Sequence, residues 1–268
     1  MDKIRVLFVG DIVGAAGRKA LKEMLPILKR TKNPELIIVN GENAAGGRGI
    51  TAAIAKEFYD QGVHGITLGN HTWDNKDIFD FIDKEDRLIR PANYPPGTPG
   101  RGFTTVKGAN GKELTIVNIQ GRTYLPPLDC PFQTIDAILE KQKKKSKCIL
   151  VDFHAEVTSE KIAMGWHLDG KVSAVLGTHT HVQTRDERIL PQGTAYVTDV
   201  GMVGARDGVL GMERQAVLQK FKTGLPVRFT ADEGKWQFHA AYMELDENTG
   251  LATKVELIRQ FETEMVWA

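Results

Sequence analysis

Asp11, Glu42, Asn43, Asn70, His154, His179 and His181 carry oxygen and imidazole donors, and each stands just past a short apolar run. IRVLFVG ends at Asp11, LIIVNG at Glu42-Asn43, and GITLG at Asn70-His71. CILVDF ends at His154, and AVLGT at His179-Thr180-His181. In parallel α/β sheets, ligands bind beyond the carboxyl ends of the strands. Carboxylate, amide and imidazole donors without a thiolate suit iron, manganese, magnesium or zinc. Each position alone has a plainer reading. Asp11 could cap the next helix, and Glu42-Asn43 could brace the turn Gly46-Gly47-Arg48-Gly49. Asn70-His71 could be a turn, and a lone His154 is commonly a satisfied core residue. The His179/His181 pair is stronger, since side chains two residues apart in an extended chain diverge and could address two ions. Five strand ends delivering ligand groups to one edge point to a site for two metals. Gly10, Gly14 and Gly17 followed by Glu42 suggest a dinucleotide-binding oxidoreductase instead. Their spacing departs from G-x-G-x-x-G, and that reading leaves the histidines unexplained.

The runs alternate with helical patterns, which argues for parallel β-α-β units. Strands are expected at Ile4 to Gly10, Leu36 to Asn40, Gly65 to Leu68, Cys148 to Phe153 and Ala174 to Gly177. Helices are expected over Arg18 to Arg30 (kinked at Pro26), from a Thr51 cap to about Gln61, over Lys76 to Ile82, and over Thr134 to Lys145. Pro91 to Gly102 reads as a rigid loop. Gly108-Ala109-Asn110-Gly111 joins Phe103 to Val106 and Glu113 to Asn118 in a hairpin. Val227 to Thr230, Trp236 to Glu244 and Val255 to Phe261 have antiparallel character. One domain over 1–268 is expected, with a helical or hairpin insertion at about 83–147.

The 35 basic and 34 acidic residues leave a net charge of +1, so no global field favours nucleic acid or membrane. Cys130 and Cys148 form no CxxC motif, and no apolar run approaches the ~20 residues of a bilayer span. The expectation is a cytoplasmic protein. Loops such as Pro91 to Gly102 offer surface for a homo-oligomer.

Asp11, Gly69-Asn70-His71, His154 and Gly177-Thr178-His179-Thr180-His181 resemble the ordered motifs of calcineurin-like metallophosphoesterases. GDIVG, NGENAAGG, LGNHTWD, RPANYPPGTPG, DFHAEVTSEK, GTHTHVQT and TAYVTDVGM resemble its YmdB-like branch over nearly the whole chain. The resemblance implies a four-layer α/β/β/α fold and hydrolysis of 2′,3′-cyclic nucleotides by a metal-bridging hydroxide, with His71 as proton donor. It implies one metal on Asp11, Glu42, Asn43 and His181, and a second on Glu42, Asn70, His154 and His179. It favours iron, with manganese or magnesium as substitutes. Two departures matter: Val13 stands where the broad superfamily has a histidine, a vacancy that the YmdB-like pattern gives to Asn43. Thr72 stands where an acid often orients the catalytic histidine, a role Asp74 could take. The same ligands would also serve a non-catalytic, metal-binding regulator.

Overall fold

The computed structural model describes residues 3–142 and 146–262. In chain order its elements begin with β1 (Lys3–Val9), β2 (Asp11–Ile12), α1 (Gly14–Thr31), β3 (Leu36–Asn40), α2 (Ala52–Asp60), β4 (Gly65–Thr67), α3 (Ile78–Phe81) and β5 (Leu88–Ile89). Then come β6 (Phe103–Lys107), β7 (Glu113–Gln120), α4 (Pro131–Gln142), β8 (Ile149–His154), α5 (Thr158–Leu168) and β9 (Ala174–Thr178). The chain continues with β10 (Arg188–Ile189), β11 (Ala195–Val197), β12 (Met202–Ala205), α6 (Arg214–Thr223), β13 (Trp236–Asp246) and β14 (Ala252–Phe261).

Two sheets result. In the first, β1, β3, β4 and β5 run parallel, β13 lies antiparallel to β1, and β14 closes that side. In the second, β7, β8, β9 and β11 run parallel, with β6 and β10 antiparallel at the edges.

Side chains alternate across a strand, and the alternation here sorts residues into three apolar layers. Leu7, Val9, Ile37 and Val39 pack outward with Leu21 and Leu25 of α1 and Phe58 of α2. Val6, Phe8, Leu36 and Ile38 face inward against Ile116, Leu150 and Leu176 of the second sheet. Val117, Ile119, Val151 and Phe153 cover the far side with Ile135 of α4 and Met164 of α5. The order is helix, sheet, sheet, helix, the four layers that the resemblance implies.

Several expected elements shift. α1 starts at Gly14 and runs through Pro26 without ending there. The third helix shrinks to Ile78–Phe81. Val227 to Thr230 forms no strand: Pro226 precedes it, and its N–H and C=O groups face no ladder partner beyond the Glu213 N–H to Thr230 O bond. The short strands β10 to β12 and the helices α5 and α6 lie outside the sequence-based expectations. The stretch at about 83–147 expected as an insertion supplies, within its described residues, β5 to the first sheet and β6 and β7 to the second. The lysine-rich end expected for the fourth helix lies in part at 143–145, outside the described residues.

The inter-sheet layer changes character along the strands. It is apolar at Leu114, Ile116, Leu150 and Leu176. One and two alternations later, the same faces carry Asn118 and Gln120, Asp152 and His154, and Thr178, all fully buried. That polar end is where the carboxyl edges of both sheets meet.

Candidate metal centre

The first sheet contributes Asp11, Glu42, Asn43 and Asn70, and the second contributes His154, His179 and His181. Asp11, Glu42 and His154 are wholly shielded from solvent, and Asn43 nearly so. Gly69 lets the strands close up here: a Cβ at that position would sit 2.4 Å from both Glu42 Oε2 and His154 Nε2.

Four acceptors converge on one point. His154 Nε2 lies 2.9 Å from Asn70 Oδ1 and 3.1 Å from His179 Nδ1. It also lies 3.1 Å from Glu42 Oε1. Glu42, His154 and His179 each offer a ligand atom within 4.8 Å of the others. The tautomers follow from the outer hydrogen bonds. Thr178 Oγ1 donates to Asp152 Oδ1 at 2.6 Å, so it accepts from His154 Nδ1 at 2.9 Å. Asn40 Nδ2 in turn donates to Asp152 Oδ2 at 3.1 Å. His179 Nε2 donates to Glu156 Oε2 at 2.9 Å. The inward nitrogens therefore face each other with lone pairs, which a metal ion between them or a proton on His154 reconciles. Adjacent ligands on bonds of about 2.1 Å at right angles sit about 3 Å apart, the spacing seen here.

The second set is looser. Asp11 Oδ2 accepts the His179 N–H at 3.2 Å, while its buried Oδ1 has no hydrogen-bond partner. His181 Nδ1 donates to the Leu210 carbonyl at 3.0 Å, leaving Nε2 3.2 Å from Asn43 Nδ2. Asn43 Nδ2 also donates to Glu42 Oε1 at 3.0 Å. For Asn43 to ligate through Oδ1, its amide must turn and give up that bond.

Burying ionised carboxylates costs several kcal/mol each unless a counter-charge is near. Burial raises the Asp11 pKa above the usual carboxylate range, although His181 and His154 pull against it. Burial also opposes the Glu42 charge, but the His154 ring and the His71 N–H outweigh it and hold the carboxyl below its ordinary value. Burial lowers the His154 pKa, yet Glu42, Asp11 and Asp152 together push it up to about 9. Burial and the His154 charge push His179 down to about 3. The pocket thus attracts positive charge at its centre, and a proton on His154 is the competitor that a metal displaces.

His71 sits at the rim. Its backbone N–H donates to Glu42 Oε2 at 3.0 Å, and its Nδ1 lies 2.8 Å from Asp74 Oδ2. Asp74 therefore stands where it can orient the ring, and Arg48 approaches the same oxygen at 3.4 Å. The Arg122 side chain makes no ion pair among the described residues, and its backbone N–H donates to Glu160. His64 accepts from the Ile37 N–H, and His167 pairs with Asp136. The glycines of the dinucleotide reading serve close packing: a Cβ at Gly10 would meet Gly201 O at 1.9 Å, and one at Gly17 would meet Val203 O at 2.4 Å.

Sequence reasoning gave no role to Asp152 or Asp199. Lys161 and Asp199 form a fully buried ion pair at 2.6 Å. Lys161 Nζ also donates to the Thr178 carbonyl at 2.7 Å. Asp199 accepts from the Thr180 N–H and hydroxyl and from the Gly201 N–H. His179 and His181 both have left-handed backbone, at φ 96° and 65°. This pair pins the loop between them. The available signal was Asp199 within the run Ala195-Tyr196-Val197-Thr198-Asp199-Val200; Lys161, after Thr158-Ser159-Glu160, gave none.

The YmdB-like protein family model matches residues 7–258. The chain belongs to the YmdB-like family. It is 55% identical over 255 residues to the 2′,3′-cyclic-nucleotide 2′-phosphodiesterase of Bacillus subtilis, covering 95% of this chain and 96% of that one. A phosphatase structure from Mycoplasma pneumoniae superposes with a TM-score of 0.92 at 34% identity, covering 97% and 94% of the two chains. The calcineurin-like phosphoesterase YfkN of Bacillus subtilis shares the fold alone, with a TM-score of 0.54 at 14% identity, covering 98% and 91%. This YmdB-like chain is a metallophosphoesterase.

Proposed function

We propose that the chain hydrolyses 2′,3′-cyclic nucleotides with two metal ions held between its sheets. The observation that carries the reading is the convergence of four acceptors, Glu42, Asn70, His154 and His179, on one buried point. The kinship to a relative named for that activity supports the substrate.

Glu42, Asn70, His154 and His179 would hold one ion, and Asp11, Asn43, His181 and a share of Glu42 the other. The ions supply activation of water and polarisation of the phosphoryl oxygens. Iron is the favoured metal, with manganese or magnesium as substitutes, since oxygen and imidazole donors without thiolate accept all three. Only Asp11 and Glu42 of the seven are anionic, so the loaded site stays positive toward a phosphodiester monoanion.

The chain's own residues do the rest. Thr178 and Asp152 fix the His154 tautomer, and Glu156 fixes that of His179. Asp74 orients His71, whose ring hands a proton to the departing ribose oxygen. The oxygen of water bonds to phosphorus as its proton leaves to solvent, the P–O2′ bond breaks, and O2′ takes the His71 proton and leaves as a hydroxyl beside a 3′-phosphate, after which His71 regains a proton from solvent. The two unbridged cysteines fit a reducing, cytoplasmic setting.

The test is an assay on 2′,3′-cyclic AMP after loading with iron or manganese, with metal content measured in parallel. Metal-dependent release of the 3′-phosphate is expected. Two equivalents of metal with no hydrolysis would favour the regulatory reading.

A further inference from the structure

Past the metal centre the chain leaves the body of the fold. Residues 214–229 run out along α6 and return as a segment without regular secondary structure, exposed over nearly its whole length. Glu213 caps the helix by accepting from the Gln215 and Ala216 N–H groups, and Gly224 ends it with φ 69°. Only Val217 of the helix is buried. The arm is rooted by the Glu213 N–H to Thr230 O bond and the bridge between Met212 and Ala231. That root touches both loops of the looser metal set. The Leu210 carbonyl accepts from His181 Nδ1, and Met212 packs on Gly47, whose N–H donates to the Asn43 carbonyl.

The surface of the arm is unusual in two ways. Phe221 is 82% exposed, and Leu218, Leu225 and Phe229 are exposed as well. Arg214, Lys220, Lys222 and Arg228 lie among them, and no acidic residue occurs from 214 to 230. None of the four cations makes an ion pair among the described residues. A chain with a net charge of +1 thus gathers four free cations and two exposed aromatic rings on one projection beside a phosphoester site.

Resting on the cyclic-nucleotide reading, we propose that this arm binds the single strand of an oligoribonucleotide whose 3′ end carries the 2′,3′-cyclic phosphate opened at the metal centre. Such an end presents the same reacting group as a cyclic mononucleotide and undergoes the same hydrolysis, with P–O2′ broken and a 3′-phosphate left. What it adds is a polyanionic strand leading out of the cleft. Cations interleaved with aromatic rings are the surface that holds such a strand, by phosphate contacts and base stacking. A second copy seated arm on arm would set like charges against each other, because a two-fold interface pairs a patch with itself. An anionic lipid surface would also accept a basic apolar arm, but the rooting beside Asn43 and His181 places this one at a phosphodiester cleft.

The experiment compares kcat/KM of the full-length, metal-loaded protein on a cyclic mononucleotide and on a single strand of about eight nucleotides, within the span of one single-strand site. Both substrates end in the same nucleotide and cyclic phosphate. The expected result is a preference for the oligonucleotide of about tenfold or more at low salt, eroding as salt rises. Lys220→Glu with Lys222→Glu, and separately Phe221→Ser, should abolish the preference while leaving mononucleotide turnover intact. Retained turnover also shows that these variants fold. Equal efficiency on both substrates at low salt, or a preference that survives both variants, would overturn the proposal. So would arm-dependent sedimentation with phosphatidylserine vesicles, or arm-dependent dimerisation, without an oligonucleotide preference. Failure on the mononucleotide itself would strike the cyclic-nucleotide reading instead. Binding of a labelled strand ending in 3′-phosphate, weakened by the lysine variants, would then still uphold the arm, and no binding would sink it.

Discussion

The two halves of the candidate metal centre are held by different means. On the first sheet, Asp11, Glu42 and Asn70 follow neighbouring strand ends, and backbone bonds set them there. The Asp11 N–H donates to Gly201 O, the Gly41 N–H to Thr67 O, and the Glu42 N–H to the Asn40 side chain. On the second sheet, His154 ends a strand, but His179 and His181 sit in a loop with left-handed backbone. Non-glycine residues in that region cost about 1–3 kcal/mol each and persist only when the surroundings over-determine them. Lys161 and Asp199 provide that constraint from a helix and a distant loop. Strand ends therefore place the carboxylates and His154, whereas the loop that carries His179 and His181 depends on a buried ion pair.

Glu42→Ala should break the comparison most severely, because Glu42 touches His154, Asn43 and His71 across both halves. Metal content by elemental analysis should collapse and turnover with it; full occupancy would refute the ligand assignment. His71→Ala comes next. It touches no ligand through its ring, so metal should remain while kcat falls about 10²–10⁴-fold, the usual worth of a general acid. An unchanged kcat would remove His71 from the mechanism.

Lys161→Met sharpens the contrast. It strands the Asp199 carboxylate in the interior, a loss of about 3–5 kcal/mol by denaturant unfolding. Asp199→Asn added to it should recover part of that stability, since the stranded charge is gone. If the single variant is as stable as the parent, the pair is no brace. Thr178→Val is the smallest change. It removes the hydroxyl between His154 and Asp152, and metal affinity should drop about 10–100-fold, as for other groups that orient a ligand. Titration with manganese, followed by its magnetic resonance signal, would measure it.

The Asp152 carboxyl, which burial pushes up to about 7, shows why such groups escape a sequence reading. It lies within CILVDF, a run that reads as buried strand. Its partners Asn40 and Thr178 are over 20 residues away in either direction, and only pairing of β8 with β9 brings Thr178 beside His154. Likewise the exposed arm at 214–229 carries apolar residues at helical spacing, a pattern that normally means burial.

The sequence by itself determined which groups stand at the strand ends, because an apolar run followed by a donor is a local pattern. It also determined the strand–helix alternation of an α/β domain, because apolar runs and helical patterns are local too, while the four-layer order was implied only by the family resemblance. Only the tertiary structure decided which nitrogen of each histidine faces inward, since that rests on hydrogen bonds to Thr178, Glu156 and Leu210 from other parts of the chain. It also decided that Lys161 and Asp199 meet. A buried charge finds its partner through packing between elements distant in sequence, and no spacing along the chain encodes that encounter.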